Sequence, residues 1–282
     1  MRNAPSARPL ISLEGEVVIV TGAGSANIPG AEDIWSIGAA IAAYAAGAGA
    51  KVGVLDIEAA NAQRTIDRIL AETPAAMCLP VAANVADVDQ VKGAFEQVRS
   101  QFGAISGLVN NVGVGGPGGT AKNVDLESWT SAFDVNVTSM VITSRTAIDD
   151  LEQTKGSIVN ISSAAGIRAG HHGLSYPTTK AAVVGLSATM AGHHGPEGVR
   201  VNTVAPGLAY TPMVVGRGLS QEGRATRAAA SILGTEGTSW DIAGPVVFLL
   251  SRAASWVTGV TLPVDAGLTA MAPNLGVAKR ND

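Results

Sequence analysis

Short runs of apolar and β-branched residues alternate along the chain with longer segments in which apolar positions recur every three or four residues. The short runs are typical of β-strands and occupy residues 17–20, 51–55, 77–81, 107–110, 157–161, 200–204 and 260–264. The longer segments have helical spacing and occupy residues 37–48, 58–71, 88–102, 126–151, 175–193 and 239–250. Strands that alternate with helices predict right-handed βαβ crossovers and a parallel sheet covered by helices on both faces.

The pattern predicts an α/β fold of the doubly wound Rossmann type. Residues 17–20 and 158–161 are predominantly apolar, as expected for strands that are buried on both faces. No internal repeat, low-complexity linker or break in composition divides the chain. We therefore expect residues 1–282 to form one domain, with a core over residues 12–269.

Three segments interrupt the alternation. Residues 26–35 lie inside the turn between the first strand and the first helix, and residues 207–238 form a long connection between the sixth and seventh strands. Long insertions in compact domains are often lids or binding loops, so we interpret residues 207–238 as a substrate lid. Residues 270–282 predict a C-terminal arm on the surface or at a subunit contact.

Composition narrows the class of protein. The 282 residues are 46% hydrophobic and 15% charged, which excludes intrinsic disorder. The net charge of −4, without a basic face, argues against nucleic acid as a partner. The single cysteine, Cys78, excludes a disulfide framework and a multi-cysteine metal site, and it is expected in the core. No apolar leader is visible and residues 38–50 are too short to span a bilayer, so we expect a cytoplasmic protein without a membrane partner.

The first strand ends in a glycine-rich turn at residues 21–25 (TGAGS), and the next helix opens at residues 36–38 (SIG). Glycines at such a turn let the backbone approach a pyrophosphate, which then lies at the helix N-terminus. A tight turn without a ligand is the alternative. Within the insert, Ile34 and Trp35 would pack over the turn, or the segment would cover an adenine.

The second strand ends at Asp56, where an adenosine ribose would lie. A carboxylate there accepts a hydrogen bond from the 2′-hydroxyl and repels a 2′-phosphate, so it favours NAD over NADP. The turn at residues 21–25 contains no arginine that would bind a 2′-phosphate. A helix N-cap is the alternative role for Asp56.

A phenol and an ammonium group lie four residues apart, at Tyr176 and Lys180, and therefore share one face of a helix. The positive charge stabilises the phenolate form and suits the tyrosine to acid–base catalysis. Ser163 follows the preceding strand, whose carboxyl end points toward the cofactor crevice. Taken by itself, the spacing of the tyrosine and the lysine also fits a chance pair on the protein surface.

In their order and spacing, these motifs resemble the short-chain dehydrogenase/reductase family over roughly residues 13–267. The matching motifs are residues 21–24 (TGAG), Asp56, residues 110–113 (NNVG), Asn136, Ser163, Tyr176, Lys180, residues 206–207 (PG), residues 211–213 (TPM) and residues 264–267 (VDAG). The resemblance implies a seven-stranded parallel sheet. It also implies a homotetramer or homodimer packed through the long helices and the last strand.

The resemblance implies a role for each member of a catalytic set. Tyr176 would be the general acid for ketone reduction and the general base for alcohol oxidation, and Lys180 would hold the nicotinamide ribose hydroxyls. Ser163 would hydrogen-bond the substrate oxygen as charge develops on it. Asn136 would anchor a water in a proton relay to Lys180. The cofactor itself supplies the hydride chemistry.

Further binding positions follow from the same motifs. The residues expected to bind NAD are Gly22, Gly24, Ser25, Ser36, Ile37, Asp56, Asn84, Val85, Asn110, Val112, Gly113, Tyr176, Lys180, Pro206, Gly207 and Thr211. The residues expected to contact the substrate are Val114, His171 and Met213. Asn110 also fits a structural role between strands, and Thr211 also fits a helix N-cap.

The chain departs from the family pattern at three positions. Ser36 replaces a glycine after the insert, Asn84 replaces an aspartate beside the adenine, and Val112 replaces an alanine. The amide of Asn84 still bonds a base, so cofactor binding is expected to survive. The Ser-Ile opening is similar to that of the enoyl-carrier-protein reductases, but Val183 stands where that branch has its lysine.

We therefore expect an NAD(H)-dependent oxidoreductase that interconverts a secondary alcohol and a ketone. An NADPH-dependent ketone or enoyl reductase is the alternative within enzymology, and a non-catalytic NAD-binding sensor is the alternative outside it. Arg217, Arg224 and Arg227 in the lid would meet a carboxylate or phosphate of the small-molecule substrate, or remain solvated. The adjacent pairs at residues 171–172 and 193–194 are histidines that do not converge easily, so we expect no metal.

Overall fold

A computed structural model describes residues 11–171, 173–216 and 218–271. Seven strands form one sheet in the order β3-β2-β1-β4-β5-β6-β7, and all neighbouring strands are parallel. The strands are β1 (Val17–Thr21), β2 (Lys51–Asp56), β3 (Met77–Ala82), β4 (Gly107–Asn110), β5 (Ser157–Ile161), β6 (Arg200–Pro206) and β7 (Thr261–Val264). The predicted doubly wound fold is confirmed. Strand order reverses between β1 and β4, which opens a crevice at their carboxyl ends.

Nine α-helices connect the strands in the described part of the chain. They are α1 (Ile37–Gly47), α2 (Ala59–Glu72), α3 (Val88–Phe102), α4 (Leu126–Phe133), α5 (Ser139–Thr154), α6 (Ser175–His194), α7 (Pro212–Val215), α8 (Gln221–Ala229) and α9 (Ser239–Leu250). Apolar side chains of α1, α2 and α9 fill one core cluster, and those of α3, α5 and α6 fill another. Every residue of β1 and β5 is buried, because helices cover the sheet on both sides.

The helix predicted over residues 126–151 is interrupted. A π-helical turn, Asp134–Thr138, separates α4 from α5 and widens the helix by one residue per turn. Periodicity of apolar positions does not register such a change, since both sides of the turn keep their own helical spacing. The turn carries Asn136, whose side chain it directs into the protein interior.

The long connection before β7 contains the short helices α7 and α8, and a bridge between Ala209 and Gly237 closes its base. Of the residues assigned to it, Arg217 lies outside the described residues. The same is true of His172 and of residues 272–282 of the predicted arm. In the described part of the chain, no helix is long and apolar enough to cross a membrane.

The insert at residues 26–35 is anchored by its last residue. The Trp35 side chain is 7% exposed and packs against Trp240 of α9, with ring centroids 5.0 Å apart. The guanidinium of Arg68 lies 4.0 Å from the Trp35 ring centroid, and Ser239 Oγ donates to the Trp35 carbonyl at 2.6 Å. Trp35 therefore fastens the insert to α2 and α9, whereas the sequence suggested that it packs over the turn.

Candidate active site

A large cavity of about 1470 Å³ lies at the carboxyl ends of the central strands. The glycine-rich turn forms one end of this cavity, and Ser163, Tyr176 and Lys180 line it further along. Single ligands of drug size occupy pockets of about 300–1,000 Å³. The cavity therefore has room for a dinucleotide and a second, smaller molecule.

Lys180 is buried on α6 beneath Tyr176. Its side chain is 3% exposed, and its Nζ donates to the Ile161 carbonyl at the end of β5 over 2.9 Å. The Nζ lies 5.8 Å from the centroid of the Tyr176 ring. Burial lowers the pKa of Lys180 to about 8, since removal from water penalises the charged amine. The amine thus remains largely protonated at neutral pH, with its charge close to the phenol.

Ser163 begins the short turn that follows β5. Its backbone is extended, and its Oγ accepts a hydrogen bond from the Ala165 N–H at 3.2 Å. This bond uses a lone pair of the oxygen and leaves the hydroxyl hydrogen for another acceptor. The neighbouring Ser162 Oγ donates to the Lys180 carbonyl at 2.6 Å, which ties the turn to α6.

Asn136 links the loop after β4 to the helix that carries Tyr176. Its Oδ1 accepts from the Val114 N–H at 2.7 Å, and its Nδ2 donates to the Val114 carbonyl and to Thr179 Oγ1, both at 2.9 Å. The amide is fully buried, so these bonds fix Val114 relative to α6. The π-helical turn is what places the amide there.

The glycine-rich turn is held close to the first helix. A Cβ on Gly38 would approach the Gly22 carbonyl to 2.2 Å, and one on Gly24 would lie 2.4 Å from Asp56 Oδ2. Ser36, which replaces the usual glycine, is the N-cap of α1: its Oγ accepts from the Ala39 N–H at 3.1 Å. The N-terminus of α1 faces the cavity at this point, an arrangement that fits a dinucleotide pyrophosphate.

Asp56 lies against this turn rather than capping α2. Its Oδ2 accepts from the Gly24 N–H at 3.1 Å, and its Oδ1 accepts from Asn61 Nδ2 at 3.2 Å. The N-cap position of α2 belongs to Glu58. Arg64 of α2 also reaches the turn, because its Nε donates to the Ser25 carbonyl at 2.9 Å. Arg64 lies outside residues 21–25, so the sequence of the turn does not indicate an arginine at this place.

Besides Asp56, which lies behind the turn, four of the expected cofactor residues do not line the large cavity. Asn84 is exposed and its Oδ1 accepts from the Ala86 N–H, while Val85 is buried in the core. Ser25 Oγ pairs with Thr65 Oγ1 at 2.9 Å and lines a smaller neighbouring cavity.

Asn110 is the fourth, and its side chain is buried in a polar network. Its Nδ2 donates to Asn160 Oδ1 at 2.9 Å, and its Oδ1 accepts from Thr143 Oγ1 at 2.7 Å. These bonds join β4, β5 and α5, the structural role that the sequence left open.

The other expected binding residues border the cavity, apart from Asp56 behind the turn. The lining includes Gly22, Gly24, Ser36, Ile37, Val112, Gly113, Val114, His171, Pro206, Gly207, Thr211 and Met213. Thr211 occupies the N-cap position of α7, but its side chain makes no capping bond. The His171 ring packs against the Tyr176 ring, with centroids 4.9 Å apart.

Asn111 is a site residue that the sequence reasoning missed. Its Nδ2 donates to the carbonyls of Thr21 and Gly22 at 3.2 and 3.0 Å, so it holds the glycine-rich turn in place. Asn111 directly follows β4, where the strand order reverses, and this position is the feature of the sequence that indicates a site residue. Among the described residues, no three histidine, cysteine or acidic side chains form a group that could hold a metal ion.

A doubly wound sheet with a dinucleotide cradle beside a serine, a tyrosine and a lysine defines a nicotinamide-dependent oxidoreductase. Residues 30–269 match a family model described as enoyl-(acyl carrier protein) reductase. The chain is 35% identical over 264 residues to 2-(S)-hydroxypropyl-CoM dehydrogenase 3 of Xanthobacter autotrophicus, covering 92% of this chain and 98% of that protein.

Two further proteins extend the comparison. A 3-oxoacyl-(acyl-carrier-protein) reductase of Thermotoga maritima is 33% identical over 91% of this chain and 98% of its own. The crystal structure of levodione reductase superimposes with a TM-score of 0.84 at 27% identity, over 92% of this chain and 99% of that chain. The chain belongs to the short-chain dehydrogenase/reductase family, and it is an oxidoreductase of that family.

Proposed function

We propose that this protein is an NAD(H)-dependent oxidoreductase that interconverts a secondary alcohol and a ketone. The observation that carries the proposal is the shared cavity, in which Ser163, Tyr176 and Lys180 lie beside the glycine-rich turn. The dehydrogenase of Xanthobacter autotrophicus acts, by its name, on a hydroxypropyl group, which supports a secondary alcohol as the substrate. A bound nicotinamide supplies the hydride acceptor or donor.

Side chains of the protein take up and return the proton of the reaction. Tyr176 takes the hydroxyl proton during oxidation and returns it during reduction, and the Lys180 charge stabilises the intervening phenolate. Ser163 donates its hydroxyl hydrogen to the substrate oxygen, because its own oxygen is already held by Ala165. Asn136 positions Val114 and, through Thr179, the start of α6. We further propose that Asn136 anchors the water of a proton relay to Lys180.

Substitution of the tyrosine tests this mechanism. Tyr176→Phe keeps the ring and removes the proton, so turnover of a responsive alcohol should fall by at least about 100-fold while NADH still binds by calorimetry. Tyr44→Phe, on the far part of α1, is the matched control and should leave turnover unchanged. Near-normal turnover in Tyr176→Phe would refute the assigned role.

The preference for NAD rests on Asp56. Its carboxylate lies against Gly24 at the start of the cofactor crevice, where a negative charge repels a 2′-phosphate. Asp56→Asn keeps the acceptor for the Gly24 N–H and removes the charge. The ratio of NADPH to NADH affinity should then rise by about tenfold, which corresponds to about 1.4 kcal/mol. An unchanged ratio would mean that a group other than Asp56 sets the cofactor preference. Arg64→Gln is the variant to compare, because Arg64 also reaches the turn.

A second candidate is NADPH-dependent reduction of a ketone or enoyl thioester on a carrier protein. The relative from Thermotoga maritima and the description of the family model favour it. The enoyl branch is disfavoured because a completely buried valine, Val183, stands at the position of its lysine. Assays with 3-oxoacyl and enoyl thioesters distinguish the candidates, and binding of NADH without any turnover would indicate a sensor.

A further inference from the structure

Several of the residues that line the cavity are basic, and none of the described lining residues is acidic. The described residues that line it include Arg168, Lys180 and Arg227, together with His171, and they include no aspartate or glutamate. Lys180 belongs to the catalytic set. The two arginines have no role in the proton transfer described above, and a guanidinium in a cavity wall can recognise an anionic group of a substrate.

Arg227 is already neutralised. Its Nε donates to Glu236 Oε1 at 2.5 Å and its Nη2 donates to the Ala209 carbonyl at 2.9 Å. Glu236 is 6% exposed and also pairs with Arg224 at 2.8 Å. This cluster joins α8 to the base of the lid. Arg227 therefore supports the lid, and the edge of its guanidinium that would bind an oxyanion is occupied.

Arg168 is held differently. It follows the turn that begins at Ser163, and its Nη1 donates to the carbonyls of Leu268 and Thr269. Within the described residues, no carboxylate forms an ion pair with Arg168, and no acceptor is bonded to its Nε or Nη2. Those two nitrogens form the edge of a guanidinium that binds a carboxylate through two parallel hydrogen bonds.

The hydrogen bonds of Nη1 fix the position of this edge of the guanidinium. A guanidinium fixed by two backbone carbonyls loses less conformational freedom when a ligand binds, so more of the interaction appears as affinity. The side chain is half-buried in a cavity whose other walls include Met213 and Val214. A charge beside apolar walls attracts an opposite charge more strongly than it does in bulk water.

We propose that the substrate carries a monoanionic oxyanion group, a carboxylate or a sulfonate, that pairs with Arg168 while its carbinol lies between Ser163 and Tyr176. One unpaired guanidinium balances one negative charge, which favours a monoanion over a phosphate dianion. This inference rests on the proposed function, because it places the reacting carbinol at the catalytic set. It adds the chemical class of the remote end of the substrate.

Matched substrates test the inference. 3-Hydroxybutanoate, 4-hydroxypentanoate and 5-hydroxyhexanoate differ in the distance between the carbinol carbon and the carboxylate. Each is compared with its neutral amide and with the corresponding sulfonate. At the optimal length, kcat/KM should be at least about tenfold higher for the anion than for the amide. Arg168→Gln should lower kcat/KM for the anion by about 10- to 100-fold, the range for a hydrogen-bonded charged group, and that for the amide by less than about threefold.

Two further variants separate recognition from structural damage. Arg168→Lys keeps the charge without the paired donors and should fall between the wild type and Arg168→Gln. Arg252→Gln removes the same charge from an exposed residue outside the cavity and should alter neither substrate. A misfolded Arg168 variant would lose both substrates equally. Equal loss, or amides that react as well as anions in the wild type, overturns the inference.

Binding supplies a readout that does not need turnover. Protein loaded with NAD⁺, which has no hydride to give to a ketone, is titrated calorimetrically with 4-oxopentanoate and 4-oxopentanamide. Tighter binding of the anion, lost in Arg168→Gln, supports the inference even if no alcohol is oxidised, and the proposed function alone would then fail. Oxidation of neutral alcohols with no binding or turnover of any anion would leave the proposed function standing and refute the role of Arg168.

Discussion

Lys180 combines two properties that oppose each other at the level of a single residue. The proposed mechanism uses its charge beside Tyr176, yet burial disfavours that charge and lowers the pKa of the amine to about 8. The bond from Nζ to the Ile161 carbonyl satisfies only one of its three donors. The protein therefore holds a charge in its interior that hydrogen bonds compensate only in part. The free-energy cost of burying this charge depends on pH.

The stability of the protein should rise with pH because of Lys180. Its pKa is about 8 in the folded state and near 10.5 when unfolded, so the unfolded chain binds more protons between these values. The burial cost is present below pH 8 and is lost as pH rises to 10.5. At about 1.4 kcal/mol per unit, the gain is about 3 kcal/mol. The measurement is the unfolding free energy of wild type minus that of Lys180→Met, by denaturant titration between pH 7.5 and 10.5.

Taking this difference cancels the other titrating groups. Lys92→Met, which removes an exposed lysine of α3, is the control for the loss of a lysine side chain. A flat difference for Lys180→Met would show that the amine binds protons equally in the folded and unfolded states, as a solvated amine does.

The insert is the element that distinguishes this chain from the family pattern, and it connects the cofactor end with the lid. Ile28 lines the large cavity, and a Cβ on Gly216 at the end of α7 would lie 3.8 Å from Ile28 Cγ2. Ser36 then starts α1 in place of the missing glycine. A segment fastened at Trp35 thus extends from α2 and α9 to the end of α7.

Removal of the anchor should weaken both stability and cofactor binding. Trp35→Ala deletes a buried ring and leaves a cavity, which costs about 3–5 kcal/mol of unfolding free energy for such substitutions. Because Ile28 borders the cofactor cavity, the affinity for NADH should fall as well. Denaturant unfolding and calorimetry measure the two effects, and Ile57→Ala, at a side chain that is 65% exposed, serves as the control. A stability change below about 0.5 kcal/mol would mean that the insert is not fastened by this ring.

Local patterns predicted most elements, and non-local contacts explain what they missed. Alternating runs located all seven strands, and residues 26–35 were recognised as an insert by length alone. The bond between Ser239 and Trp35 joins residues 204 positions apart, so no local pattern reveals where the insert is anchored. Likewise, Arg168 has no motif of its own. Its importance depends on which of its nitrogens the described C-terminal residues occupy.

At the scale of the whole molecule, both edge strands of the sheet contain a proline that opposes further pairing. β3 contains Pro80 and β7 contains Pro263, and a proline removes one donor from an exposed edge. Association through a continuous sheet is therefore disfavoured. We propose that copies of the chain associate through side chains around β7 instead, where Val260 is 39% and Trp256 is 91% exposed.

Light scattering on the purified protein should accordingly give a mass two or four times the 28.4 kDa of one chain. Val260→Glu places a charge beside β7, and burying it without a partner would cost several kcal/mol, so the mass should fall by half or more. Val88→Glu is the matched control, since Val88 is 43% exposed at the start of α3, where an acidic residue suits the helix dipole. Retained NADH binding in both variants excludes misfolding. A wild-type mass of 28.4 kDa, or equal dissociation by both substitutions, would count against assembly at β7.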